Sequence, residues 1–176
     1  MVKSSGRKEV AFYCLAWILG LFFILLKGKL LNLLGGSFFD LDFLSIMIAY
    51  ILLYYGRIGA SSYAFGQGLL IDFFSGGLHG LFTFLYLIVF FGILTSRRFF
   101  SLQHPKGQIL IVFLAILLKT TMFVIILSVF SQKIVIVNSF VWMSVGSIVV
   151  TCLTVPMFFF LFDQVRAVSE KNTPAL

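Results

Sequence analysis

The chain has 176 residues, of which 61% are hydrophobic and 11% charged, and its formal net charge is +7. A water-soluble domain carries roughly 45–50% apolar and about 25% charged residues, so this composition excludes an ordinary soluble fold and points to an all-α integral membrane protein. The excess of bases does not indicate nucleic acid, because they cluster at the ends of apolar runs and no arginine-rich arm or alternation of basic and aromatic residues occurs.

Taken in order, the chain opens with a short basic head, Met1 to Glu9, containing Lys3, Arg7 and Lys8. The apolar run 10–26 follows. Its basic start resembles a signal peptide, but Lys27 and Lys29 come directly after it and no small-residue cleavage site does, so it is expected to remain as a span. Ser37, Phe38, Phe39 and Asp40 have the spacing of a helix start, and Asp40 and Asp42 are expected in the first turn, where the helix dipole favours negative charge. Span 38–55 ends at Gly56 and Arg57. Spans 58–74 and 80–94 are joined by a small-residue turn that includes His79. A polar stretch with Arg97, Arg98, His104 and Lys106 precedes span 108–130, and span 136–162, expected to kink at Pro156, leads to a polar tail.

This gives a single polytopic domain over 1–176, about six transmembrane helices in a compact bundle. With the head in the cytoplasm, nine bases fall on inner segments (Lys3, Arg7, Lys8, Arg57, Arg97, Arg98, Lys106, Arg166, Lys171) and three on outer ones (Lys27, Lys29, Lys133). That asymmetry places both termini in the cytoplasm. Arg97 and Arg98 serve topology on this reading; a contact with a cytoplasmic partner or anionic lipid is the sharper alternative.

Within the third span, steps of four residues bring Ala60, Ala64, Gly68, Asp72, Gly76 and Gly80 onto one helix face. Small residues let helices approach closely in lipid, so this ridge is either a packing seam within the chain or a surface for a partner's span. Asp72 within it, and Lys119 near the middle of the fifth span, are costly in a membrane unless paired or hydrated. Their depths differ by about one helical turn, which suggests an Asp72–Lys119 contact; alternatively Lys119 snorkels alone and Asp72 pairs with Lys27, Lys29 or Lys133. Ser61, Ser62, Thr120 and Thr121 read as interhelical hydrogen-bonding groups.

No nucleophile elbow, zinc-protease helix, phosphate loop or aspartate cluster for a metal-dependent transferase occurs. Cys14 and Cys152 lie in apolar runs and read as buried thiols. No catalytic residue, cofactor site or metal site is expected.

The run Ala64-Phe65-Gly66-Gln67-Gly68-Leu69-Leu70-Ile71-Asp72, followed by Ser75-Gly76-Gly77-Leu78-His79-Gly80-Leu81, resembles the rod shape-determining protein MreD family, with Ala64 where that family's pattern has glycine. The second span is similar too, with Asp40 and Asp42 ahead of an aliphatic run ending in Tyr54, Tyr55 and Gly56. The resemblance implies a non-enzymatic, multi-pass component of the bacterial cytoplasmic (inner) membrane that helps organise lateral peptidoglycan synthesis. Its implied partners are an MreC-like single-span protein and, indirectly, MreB filaments and the RodA–penicillin-binding-protein pair. The same architecture also resembles the substrate-binding membrane subunits of energy-coupling-factor vitamin transporters. That alternative needs an outward cavity, for which Asp72, His79, Lys133, Asn138 and Trp142 are the available polar and aromatic side chains.

Overall fold

The computed structural model describes residues 5–34, 42–75, 80–100, 104–130 and 138–171, with side chains described for 12–26, 42–75, 80–100, 104–130 and 144–166. These residues form six helices and no strand: α1 Ser5–Leu34, α2 Phe43–Tyr54, α3 Gly56–Ser75, α4 Leu81–Ser96, α5 Pro105–Phe130 and α6 Asn138–Lys171. Each apolar segment marked in the sequence falls on one helix, with shifted bounds. The largest shifts are in α2, which is shorter than its expected span, and in α1 and α6, which are longer. Pro156 lies inside α6, which continues through it.

α2 forms the axis. It packs against all five other helices, which surround it in the order α1, α3, α4, α5, α6, with α6 closing back onto α1. Every residue from Phe43 to Leu52 is buried, whichever way its side chain points. This fits its sequence, FLSIMIAYILLY, which has no polar face to give to solvent.

Contacts fix the helix directions. Gly59 and Ser62 meet Tyr13, and Gln67 meets Trp17, so α1 and α3 run parallel. Asp42 meets Tyr86 and Leu52 meets Arg97, so α2 and α4 run parallel. Asp42 meets Thr151 and Tyr54 meets Asp163, so α6 shares that direction. Phe12 packs on Tyr50 and Tyr55 while Phe23 packs on Phe43, which sets α1 antiparallel to α2. Lys119 meets Tyr86 while Ala115 lies beside Gly92, so α5 runs antiparallel to α4. Successive helices therefore alternate in direction, and α1 begins at the end of the bundle where α6 finishes. The reversal between α2 and α3 takes a single residue, Tyr55, and uses the left-handed backbone of Gly56 at φ 78°.

The interior is mostly apolar but also takes in Asp42, Ser45, Gln67, Asp72, Thr83 and Thr151, and the exterior is apolar too: Ile18, Phe22, Ile58, Phe73, Phe91, Leu153 and Phe160 are among many large apolar side chains on the outside. Two segments, Pro105–Phe130 in α5 and Ser144–Arg166 in α6, are long and apolar enough to cross a membrane, and only 22% and 28% of their most apolar stretches lie inside the bundle.

Candidate functional site

The densest polar cluster sits where the axial helix begins. Asp42 is the N-cap of α2: its Oδ1 accepts from the Ser45 amide at 3.4 Å and its Oδ2 from the Ser45 hydroxyl at 2.7 Å. Capping of α2 by Asp42 thus has a structural counterpart, one position outside the first turn; Asp40 lies outside the described residues. The carboxylate faces the positive end of the α2 dipole. Three peripheral helices converge on the same residue. From α5, Lys119 Nζ donates to Asp42 Oδ2 at 2.6 Å, forming an ion pair. From α4, the Tyr86 hydroxyl donates to Asp42 Oδ1 at 3.2 Å. From α6, Thr151 Oγ1 accepts from the Asp42 amide at 3.1 Å and donates to the Ser147 carbonyl at 2.7 Å. The Lys119 ammonium also lies 3.4 Å from the Tyr86 hydroxyl oxygen and 4.6 Å from the centre of its ring, a cation–π contact. Side-chain exposure is 8% for Asp42 and 19% for Lys119, so the pair is largely desolvated.

This corrects the suggested Asp72–Lys119 contact. α3 and α5 do not touch, because α4 and α2 stand between them. Similar depth in the bundle is therefore insufficient to bring the two charges together. Asp72 has a different role: its Oδ1 accepts from the Phe82 amide at 2.9 Å, and its Oδ2 accepts from the Thr83 amide at 2.9 Å and the Thr83 hydroxyl at 2.5 Å. A carboxylate near the end of α3 opposes that helix's own dipole, but here it meets the exposed amides and positive end of α4. Gly80, at φ 90°, starts α4 and offers no side chain to cap it, so Asp72 supplies the cap from the neighbouring helix.

The small-residue ridge is a seam within the chain. Ala60, Ala64, Gly68 and Asp72 are all buried. A Cβ added at Gly68 would stand 2.5 Å from Thr83 Cα and 3.0 Å from its amide nitrogen, so α4 backbone already fills the groove. These four positions are buried among the chain's own helices, which favours the packing seam of the two readings. Gly80 is exposed, and Gly76 lies outside the described residues.

Two further polar ties hold the bundle. On α1 and α3, the Tyr63 hydroxyl donates to the Ala16 carbonyl at 3.4 Å and the Gln67 amide to the Trp17 carbonyl at 3.3 Å. Gly20 makes room for both side chains; a Cβ there would lie 2.5 Å from the Tyr63 hydroxyl. At the other end of α2, Tyr50 and Tyr54 hydroxyls donate to Asp163 Oδ1 at 3.0 and 2.8 Å, and the Arg166 guanidinium lies 4.3 Å from the Tyr54 ring centre. Sequence reasoning missed Tyr86, Tyr50, Tyr54, Thr151 and Asp163. Ser62 does bond across helices, to the Tyr13 hydroxyl at 2.7 Å, whereas Thr121 bonds back to Leu117 on its own helix.

Chemically these are adhesives: acidic and phenolic groups joining helices end to end. Among the described residues, no group of three His, Cys, Asp or Glu side chains is arranged to hold a metal ion. Of the side chains suggested for a ligand cavity, Asp72 is turned onto α4; His79 and Lys133 lie outside the described residues, and Asn138 and Trp142 outside the described side chains. In comparisons with known proteins, the chain matches no family model, no curated protein and no solved structure.

Proposed function

We propose that this chain is a multi-pass protein of the bacterial cytoplasmic membrane, with six spans and both termini in the cytoplasm, acting as a non-enzymatic scaffold of the cell-elongation machinery. The observation that carries the reading is the apolar exterior: large apolar side chains face outward on α1, α3, α4, α5 and α6 alike, while Asp42, Asp72, Gln67, Thr83 and Thr151 are turned inward. In water such a surface would drive aggregation; in lipid it is the expected one. The alternating helix directions fit six spans. The specific role rests on the resemblance of residues 64–81 to the MreD family. Partners of this class, an MreC-like single-span protein foremost, would meet the outer apolar faces or the connecting loops, since the Ala60–Asp72 ridge is already occupied.

Depletion in a rod-shaped host tests the role. The expected result is loss of rod shape, together with recovery of the MreC-like protein and the RodA–penicillin-binding-protein pair in mild-detergent extracts of tagged chain. Unchanged cell shape with a vitamin-like molecule bound to the purified chain would replace this reading with the transporter-subunit one.

A further inference from the structure

The end of the bundle where α2 and α4 finish carries most of the described bases and the exposed rings of Phe99 and Phe100. Six cationic side chains are described, and Arg57, Arg97, Arg98, Lys106 and Arg166 all belong to this end, Lys119 being the sixth. They come from the start of α3, the α4–α5 turn, the start of α5 and the end of α6. Arg97 Nη1 donates to the Leu52 carbonyl at 3.2 Å, which seats the α4–α5 turn beside the last turn of α2. The turn itself is ordered by backbone bonds from Arg98 to Thr95 and from Phe99 and Phe100 to Ser96. It thereby presents Arg98, Phe99 and Phe100 outward, with Phe99 77% exposed. Arg57, Arg98 and Lys106 form no ion pair with any described side chain.

We propose that this end binds the headgroups of anionic phospholipids, with Arg57, Arg98 and Lys106 as the phosphate-binding side chains and Phe99 and Phe100 as the anchors that set their depth. The proposal rests on the membrane reading and is independent of the role in cell elongation. The aromatic residues select lipid over a soluble anion. Two adjacent phenylalanines on a polar turn are poorly placed in water, but they are buried at the boundary between headgroups and acyl chains, where amphipathic and aromatic anchors gather. A turn held at that depth puts Arg98 level with the phosphates, and a guanidinium can bind phosphate oxygens with two parallel hydrogen bonds. Asp163, the acidic side chain described at this end, accepts from both Tyr50 and Tyr54 and belongs to the α2–α6 tie.

The full chain is reconstituted in bilayers of phosphatidylcholine alone or with a minority of phosphatidylglycerol, and the lipid retained after detergent extraction is quantified. Wild type is expected to retain phosphatidylglycerol above its share of the bilayer and to unfold at higher temperature in its presence, with inorganic phosphate giving no such shift. Arg98→Gln should lower the phosphatidylglycerol preference by about fivefold, and Arg57→Gln and Lys106→Gln by similar factors, as expected for single bases at an anionic surface. Their unfolding in pure phosphatidylcholine should match wild type. Equal retention of both lipids by wild type overturns the proposal, as does an undiminished preference in the triple variant or equal stabilisation by inorganic phosphate. A chain that never enters the bilayer overturns the membrane reading as well, which separates the two failures.

Discussion

Asp42 and Lys119 form a charge pair that neither can leave at low cost. Removing one partner of a buried ion pair strands the other and destabilises by about 3–5 kcal/mol, whereas replacing both with uncharged groups is often far milder. Asp42→Asn keeps a side chain able to cap α2 but leaves Lys119 without its counter-charge; Lys119→Met leaves Asp42 with its hydroxyl and amide donors. Each single variant is expected to lose about 3 kcal/mol, and the double variant less than the sum. Unfolding titrations in mixed micelles measure this, and additive losses would contradict the pairing. In the same titration, Asp72→Ala should cost about 2 kcal/mol, because it leaves the Phe82 and Thr83 amides without their acceptor. Exchanging Asp72 and Lys119 should recover neither loss, since each has a different partner. Lys119 was conspicuous in the sequence as a mid-helix charge. Its partner was not, because a span that begins at residue 38 puts Asp42 in its first turn, far from the middle of the bundle. A 12-residue helix rises only about 18 Å, and measured from the Tyr54 end, Asp42 then lies at nearly the depth of Lys119, about 21 Å along α5 from Pro105.

At the scale of the element, the six helices were legible because each apolar run is bounded by glycine, proline or charge. The axial position of α2 was only half legible. Its lack of a polar face said that it is surrounded, but not by which helices, since that depends on how five other segments pack. The ridge on α3 was legible as a place of close approach, and its direction was not: the same glycine spacing serves an inner seam or an outer surface. Gly68 now gives a sharp test. Gly68→Ala should cost about 1–3 kcal/mol of bundle stability through overpacking against Thr83 backbone. Gly146, on α6 with open space around it, should accept alanine with no loss and a gain of at most about 1 kcal/mol from helix propensity. Thermal unfolding of the two purified variants checks the contrast; equal effects would contradict the seam.

At the scale of the whole molecule, the two ends of α2 are tied differently. One end is clasped by Asp42 with α4, α5 and α6; the other by Asp163 and Arg166 of α6 and by Arg97 of α4. Between them, Gln67, Asp72 and Thr83 join helices, and the exposed hydroxyls of Thr121 and Ser128 bond back to carbonyls of their own helix. On the proposed membrane reading, lipid gives packed helices no hydrophobic gain over its own tails, and close approach and hydrogen bonds hold the ring together. The central claim is that the outer face of this ring lies in hydrocarbon. Single spin labels at Ile18, Leu117 and Leu153, on α1, α5 and α6, in chain reconstituted into bilayers with Cys14 and Cys152 replaced, measure it directly. All three positions should be highly accessible to dissolved oxygen and inaccessible to a water-soluble nickel complex. Access of the nickel complex to all three would place the ring in water and contradict the account.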